Sequence, residues 1–411
     1  MVERGSSDLF VKAGVPPHVR IDGKITPLDY GELSQEDAQD LAYGMMTEDQ
    51  IERFEKIPEM DLALGVRGVG RFRVNLFRQR GSIAMVFRHI STPNFNFEDL
   101  MLPPAVQTLS EKHRGLVLVT GTTGSGKSTT LAAMINHINH HRRCHIVTIE
   151  DPIEFLHNDK EAIVSQREVG FDTKSFGDAL RHVLRQAPDV ILIGEMRDLE
   201  TVQTAIAAAE TGHLVLSTLH TIDAVQTVER IINFFPAYLH AQIRMEMALG
   251  LQGVISQRLL PRKRGQGRVP ACEILISTPL IKKLLNEGKT MELLPNIMEG
   301  AHWGMQSFNQ ALHKLIVTDM ISYETALTYA TSPEELKLMV EGIASGTKHN
   351  LAVQDATGII PGLSASPTGI HNLNNPQGSS TQINFPPSPG KLPLTTPLPM
   401  RTKPPQPGGG G

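Results

Sequence analysis

The chain has 411 residues, 40% of them apolar, and a formal net charge of -4 from 39 Lys and Arg against 43 Asp and Glu. That is enough for two or three domains of roughly 150 residues each, and the near-neutral balance without a basic block argues against nucleic acid as a partner. Cys144 and Cys272 lie far apart, with neither metal-ligand spacing nor a disulfide framework, as suits a reducing cytosol. No uncharged apolar run approaches the ~18 residues of a membrane span and the N-terminus does not read as a signal peptide, so any membrane role is expected through a partner or at the surface.

The first ninety residues read as a small α/β domain. "DLFVKAG" and "HVRIDGKITPL" each have strand character, and Ser34 to Asp37 resembles a capping box before an amphipathic helix with Leu41, Met45 and Met46 on one side. In "GRFRVNLFRQRGSIAMVFRHI", Phe72, Val74 and Leu76 alternate with Arg71, Arg73 and Asn75, which predicts a half-buried strand with arginines on its open face, followed by a second strand ending at Arg88. Ser91–Pro104, with three prolines and two asparagines, reads as an interdomain connection. This gives a domain over 1–92, a linker over 93–104 and a second domain over 105–343, where strands and helices alternate as in a largely parallel sheet. From 344 to 411 the composition turns to Pro, Gly, Ser, Thr and Asn, and a disordered tail is expected.

Four buried-strand patterns of the second domain end in polar residues: "GLVLVTG", "HIVTIEDPIE", "DVILIGEMRD" and "HLVLSTLH". Ligands of open α/β sheets bind beyond the carboxyl ends of the strands, so these distant segments can converge on one site. The first pattern leads into "GTTGSGKSTT", which fits the phosphate-loop pattern G-x-x-x-x-G-K-[ST]. The expected nucleotide site therefore runs through Gly121, Thr122, Thr123, Gly124, Ser125, Gly126, Lys127, Ser128 and Thr129. Gly121, Gly124 and Gly126 let backbone N–H groups approach phosphate at the positive end of the following helix. Lys127 should reach the β- and γ-phosphates and Ser128 should ligate Mg²⁺. Glu154 and Glu195 are the candidates for orienting or deprotonating the attacking water, Glu195 also for the metal, and His220 for sensing the γ-phosphate. Taken singly, Glu195 would be a surface carboxylate and His220 a satisfied core histidine; the convergence of four strand ends favours a site for both.

"INHINHHRRCHIV" invites a zinc reading, but Leu131, Met134, Ile135 and Ile138 make a buried helix face and leave His137, His140 and His141 to the solvated side or the helix end. Arg73 and Arg88 read either as solvated side chains or as cationic fingers that complete a neighbouring subunit's nucleotide site, which predicts a ring with shared sites.

With these motifs in hand, the sequence resembles the type IV pilus retraction ATPases, PilT and PilU, within the secretion ATPase superfamily. The resemblance spans about Gly5 to Ile343 and rests on "SDLFVKAGVPP", "GRFRVNLF", "GLVLVTGTTGSGKSTTLAAMI", "IEDPIEF", "QREVGFDTKSF", "ALRHVLRQAPDVILIGEMRDLET", "AAAETGHLVLSTLHT" and "ERIINFFPA". It implies a PAS-like N-terminal α/β domain joined to a RecA-like P-loop ATPase domain. It makes Gly121 to Ser128 the Walker A loop, "IEDPIE" an Asp box with Glu154 as a catalytic glutamate, "ILIGE" an atypical Walker B with Glu195, and "STLHT" a His box around His220. Arg73 and Arg88 match family arginines that reach the nucleotide from the N-terminal domain. It further implies ATP and Mg²⁺, a homo-hexamer, a PilC-like inner-membrane platform protein, and a peripheral place at the cytoplasmic face of that membrane, at the pilus base.

Within the family, the lack of the zinc-binding CxxC pair of many assembly-type relatives favours retraction over extension. "GRVPACEILISTPLIKKLL", "GMQSFNQAL" and "ISYETALTYATSPEELKLMV" look more like PilU, with "PLIKKLLNEGK" where PilT has an AIRNLI-like segment. A PilU-like chain is expected either to drive retraction or to load ATP as an accessory to a PilT-like paralogue. The family's leading helix looks shortened before "GSSDLF", and the Pro-rich tail has no counterpart in the family pattern.

Overall fold

Alternation and caps shape the first ninety residues into a sheet with helices laid on it. The computed structural model describes residues 1–342 except Asp22 and Asn94; the tail expected over 344–411 lies outside the described residues. β1 (Asp8–Lys12), β2 (His18–Ile21), β3 (Lys24–Pro27), α1 (Gln35–Tyr43), α2 (Glu48–Lys56), β4 (Glu59–Val66), β5 (Gly70–Gln79) and β6 (Ser82–Ile90) follow in order. The strands form one antiparallel sheet ordered β3-β2-β1-β6-β5-β4. "HVRIDGKITPL" is thus a hairpin and not one strand, turning where Gly23 takes φ 78°.

The capping box is present: the Asp37 N–H donates to Ser34 Oγ at 3.0 Å and the Ser34 N–H to Asp37 Oδ2 at 2.8 Å. The predicted apolar face is corrected. Ala38 and Ala42 are buried, Leu41 is 50% exposed, and Met45 and Met46 lie beyond the end of the helix. A nine-residue helix that stops at Gly44 leaves no room for a longer stripe, and alanines let it sit close to the sheet.

On β5, Phe72, Val74 and Leu76 are buried as the alternation requires. The opposite face is not open to solvent: Arg71 and Arg73 lie against the second domain, half-buried. β6 runs past Arg88 to Ile90. The connection is also more structured than its composition suggests. Phe97 and Leu102 are buried in the second domain's core, and Asn96 and Asp99 cap each other's backbone N–H.

The second domain alternates as expected: α3 (Pro104–Ser110), β7 (Gly115–Thr120), α4 (Lys127–His141), β8 (His145–Glu150), β9 (Ile163–Glu168), α5 (Phe176–Val183), β10 (Val190–Ile193), α6 (Leu199–Glu210), β11 (Leu214–Leu219), α7 (Ala224–Ile232), α8 (His240–Gly250), β12 (Leu251–Pro261) and β13 (Arg268–Ile276). The sheet order is β13-β12-β7-β11-β10-β8-β9, parallel except for the antiparallel edge strand β13. Leu116 and Leu118 pack with α5 to α8 on one face, while Val117 and Val119 pack with α3 and α4 on the other. A parallel sheet buried on both faces needs unbroken apolar strands, which is why "LVLV" and "VILI" do not alternate. α9 (Pro279–Glu287), α10 (Leu293–Glu299), α11 (Phe308–Val317), α12 (Tyr323–Tyr329) and α13 (Pro333–Val340) close the described chain, the last three around a small core of Phe308, Leu312, Ile321 and Leu336.

Candidate functional site at the carboxyl edge of the parallel sheet

The strand order decides which segments meet. β11 lies beside β7, β10 beside β11 and β8 beside β10. The loops after these strands carry, in that spatial order, His220, Glu195 and the Asp151–Glu154 turn, all on the same edge as the phosphate loop.

The loop itself is a backbone cradle. Gly121, Gly124 and Gly126 take φ of 140°, 80° and 93°, a region that side chains resist. A Cβ on Gly121 would stand 2.5 Å from both the Gln257 carbonyl oxygen and Ser125 Oγ, so only glycine fits. Thr122, Thr123 and Gly124 form the exposed rim, and Ser128 and Thr129 sit half-buried in the first turn of α4. Two features suit an anionic ligand. Ser125 Oγ is buried without a hydrogen-bond partner. Lys127 is 9% exposed and folds its ammonium onto its own loop, donating to the carbonyls of Gly121 at 2.8 Å and Thr122 at 3.0 Å. Burial holds its pKa below the ordinary lysine value, against the opposing attraction of Glu195 and Glu154.

Glu195 sits at the centre of a small charge network. Its Oε1 lies 3.1 Å from His220 Nε2, and its Oε2 accepts from Arg197 at 2.8 Å. Arg197 also reaches Asp151 Oδ2 at 3.8 Å, spanning from the β10 loop to the β8 loop. Sequence reading did not find Arg197; an arginine after a strand carries no signal until the neighbouring strand is known.

The motif "IEDPIE" contains two glutamates with opposite surroundings. Glu150, the last residue of β8, accepts from the Thr148 hydroxyl at 2.7 Å and the Gln166 amide at 3.1 Å, and burial raises its pKa. Glu154 is exposed, beyond a turn with a cis Asp151–Pro152 peptide. Glu154 is therefore the one free to face a ligand.

The hydrogen bonds and ion pairs of the N-terminal arginines go elsewhere than to the phosphate loop of their own chain. Arg73 Nη2 donates to the Ile153 carbonyl at 3.3 Å, the peptide that carries Glu154. Arg71 lies 3.7 Å from Glu168 Oε2 at the end of β9. Arg88, opposite Arg73 in the sheet register, donates to the buried Asp8 at 2.9 Å, which Arg20 also approaches at 3.2 Å. Arg88 keeps 66% of its side chain exposed.

Among the described residues no group of three or more His, Cys, Asp or Glu is placed to hold a metal ion, the histidine-rich helix included. His140 and His141 are exposed, as predicted. His137 is not: it is half-buried, 3.3 Å from Glu111 and packed against Phe97, with a 4.3 Å stack on His141. Burial and the neighbouring His141 lower its pKa. Cys272 is fully buried, its thiol pushed up to about 12.

Residues 58–299 match the family model described as type II/IV secretion system protein. The chain is 46% identical over 350 residues to the type IV pilus ATPase PilU of Pseudomonas aeruginosa, covering 85% of this chain and 92% of the relative. It is also 46% identical over 332 residues to the PilT retraction ATPase of the same organism, covering 81% and 96%. Among solved structures it is similar to the pilus retraction motor PilT with bound ADP, at 49% identity and a TM-score of 0.75 over 82% of this chain and 96% of that one. The ATPase DotB of Legionella pneumophila is a more distant neighbour, at 27% identity and a TM-score of 0.64. The N-terminal sheet with its helices and the two-faced parallel sheet agree with the PAS-like and RecA-like α/β fold class that the resemblance implies. The chain is an ATPase of the type II/IV secretion-system family, and within it belongs to the PilT and PilU group of type IV pilus ATPases.

Proposed function

We propose that this chain is a hexameric, PilU-like motor that hydrolyses ATP to drive type IV pilus retraction and twitching motility. The observation that carries the reading is the gathering of Lys127, Glu195, His220 and the Glu154 turn at one sheet edge, with an N-terminal arginine already bonded to that turn.

In this reading the glycine loop and Lys127 bind the phosphates, and Thr122, Thr123, Ser125 and Thr129 line the same cradle. Glu154 and Glu195 are the groups for orienting the attacking water, and His220 faces the terminal phosphate. Ser128 and Glu195 supply the hard oxygen donors that Mg²⁺ takes, the remaining positions falling to water and phosphate; the ion would neutralise charge on the transferring group. Arg88, largely exposed, completes the site of a neighbouring subunit, and Arg73 joins it on exchanging its Ile153 carbonyl for phosphate. Hydrolysis changes the angle between the two domains, and the ring passes that motion to a PilC-like platform protein at the cytoplasmic face of the inner membrane.

Identity does not separate the subtypes, since PilU and PilT relatives both stand at 46%. The PilU-like reading is supported by the segments that form β13, α9 and α11 to α13. The test is retraction in a strain lacking both this chain and any PilT-like paralogue, complemented with wild type or Lys127→Ala. Retraction with wild type alone is the expected result. Retraction with neither, restored when the PilT-like partner returns, would replace the autonomous motor by an accessory subunit.

A further inference from the structure

The loop that carries His220 is tied down by two buried groups outside the phosphate-facing residues. It is short: β11 ends at Leu219 and α7 begins at Ala224. Thr227, in the first turns of α7, is completely buried. Its hydroxyl donates to the Asp223 carbonyl at 2.6 Å and lies 2.6 Å from the Thr221 hydroxyl. A hydroxyl has one proton. With that of Thr227 committed to Asp223, Thr221 is the donor in the second contact. The residue next to His220 is therefore hydrogen-bonded to a helix side chain.

On its other side Thr227 packs against the phosphate-loop strand. Thr120, the residue before Gly121, has its hydroxyl 3.5 Å from that of Thr227 and 2.8 Å from that of Ser256, and all three are buried. The far end of the His220 loop is held from β13. Glu273, 3% exposed, accepts the Ala224 N–H at 2.9 Å. That N–H opens α7 and has no partner within the helix.

We propose that Thr227 and Glu273 are positioning residues for His220, holding its loop against the phosphate-loop strand so that the imidazole stays in reach of Glu195 and of a terminal phosphate. The inference rests on the proposed hydrolytic role of the site. A plain helix back-bond from Thr227 to Asp223 would account for one of its contacts, but not for the bond from Thr221 or the placement beside Thr120.

The test uses the full chain. Thr227→Val keeps the shape and removes the hydroxyl, and Thr227→Ser keeps the hydroxyl. Glu273→Leu removes the acceptor and Glu273→Gln keeps it. Steady-state ATPase is read beside the affinity for a fluorescent ADP analogue, which lacks the γ-phosphate that His220 would face. Val and Leu are expected to lower kcat by up to about a hundredfold, the scale of a group misplaced by about 1 Å, with ADP affinity within about twofold and with Ser and Gln near wild type. In a His220→Ala background, Thr227→Val should add no further loss, because residues acting through one another are not additive. The inference is overturned if Thr227→Val turns over at the wild-type rate, if its loss adds to that of His220→Ala, or if ADP affinity falls in step with kcat. A wild-type rate in His220→Ala would instead refute the reading of the site itself.

Discussion

Glu273 allows a stability prediction worked from its surroundings. Burial raises its carboxyl pKa to about 7 from the ordinary 4.5, with the Ala224 N–H lowering it, Asp223 raising it and Arg258 lowering it. In the folded chain the group takes up its proton at a pH where the unfolded chain is still ionised. The folded state therefore gains from acidification through neutrality, and loses that gain as pH rises through about 7. Between about pH 8 and about pH 5.5 the linkage is worth about 2 kcal/mol. Glu273→Gln keeps an acceptor for Ala224 and removes the titration. Urea unfolding followed by circular dichroism, at one protein concentration and at both pH values, should show the wild type gaining about 2 kcal/mol relative to the variant at the lower pH. Parallel pH profiles for the two proteins would refute the reasoning, because they would mean that Glu273 has the same proton affinity folded and unfolded.

Lys127→Ala should abolish ATP hydrolysis in a phosphate-release assay, since the cradle loses its one buried ammonium; normal turnover would remove the site assignment. Arg88→Ala should leave the fold intact, because Asp8 keeps Arg20 at 3.2 Å, and it should depress activity more than in proportion when mixed into wild-type rings; a proportional fall would argue against shared sites. Phe97→Ala should destabilise the chain by about 3–5 kcal/mol in denaturant unfolding, the usual cost of emptying a buried aromatic position, whereas a loose connector would show almost none.

The phosphate loop was readable because it is local: the glycine conformations, the lysine and the helix start lie within ten consecutive positions. The strands of the parallel sheet were readable because double-sided burial leaves unbroken apolar runs. What stayed hidden depends on neighbours remote in sequence. Nothing in "IEDPIE" tells which glutamate is buried; the answer comes from Gln166 on β9, which bonds Glu150 and leaves Glu154 exposed. Alternation on β5 correctly separated two faces, but could not say that the arginine face is covered, because its cover is Ile153 and Glu168 of the other domain. The Thr227 and Glu273 contacts join β7, α7 and β13, three elements no local pattern relates. The histidine run misled for the same reason in reverse: His137 is drawn partly inside by Phe97 of a segment that composition marks as linker.

The packed connector has a mechanical consequence. β6 ends at Ile90, and the Phe95 carbonyl is already bonded to Asn136 of α4 at 3.4 Å, so only residues 91–94 lie between the two anchored bodies. Fully stretched, four residues span about 14 Å, and the Ser91 carbonyl is itself bonded to the Leu156 N–H at 3.1 Å. A leash this short forbids wide separation and permits swivelling. Its tether at Leu156 lies two residues beyond Glu154, so a displacement of the N-terminal sheet would pull on the same stretch of backbone that carries that carboxylate.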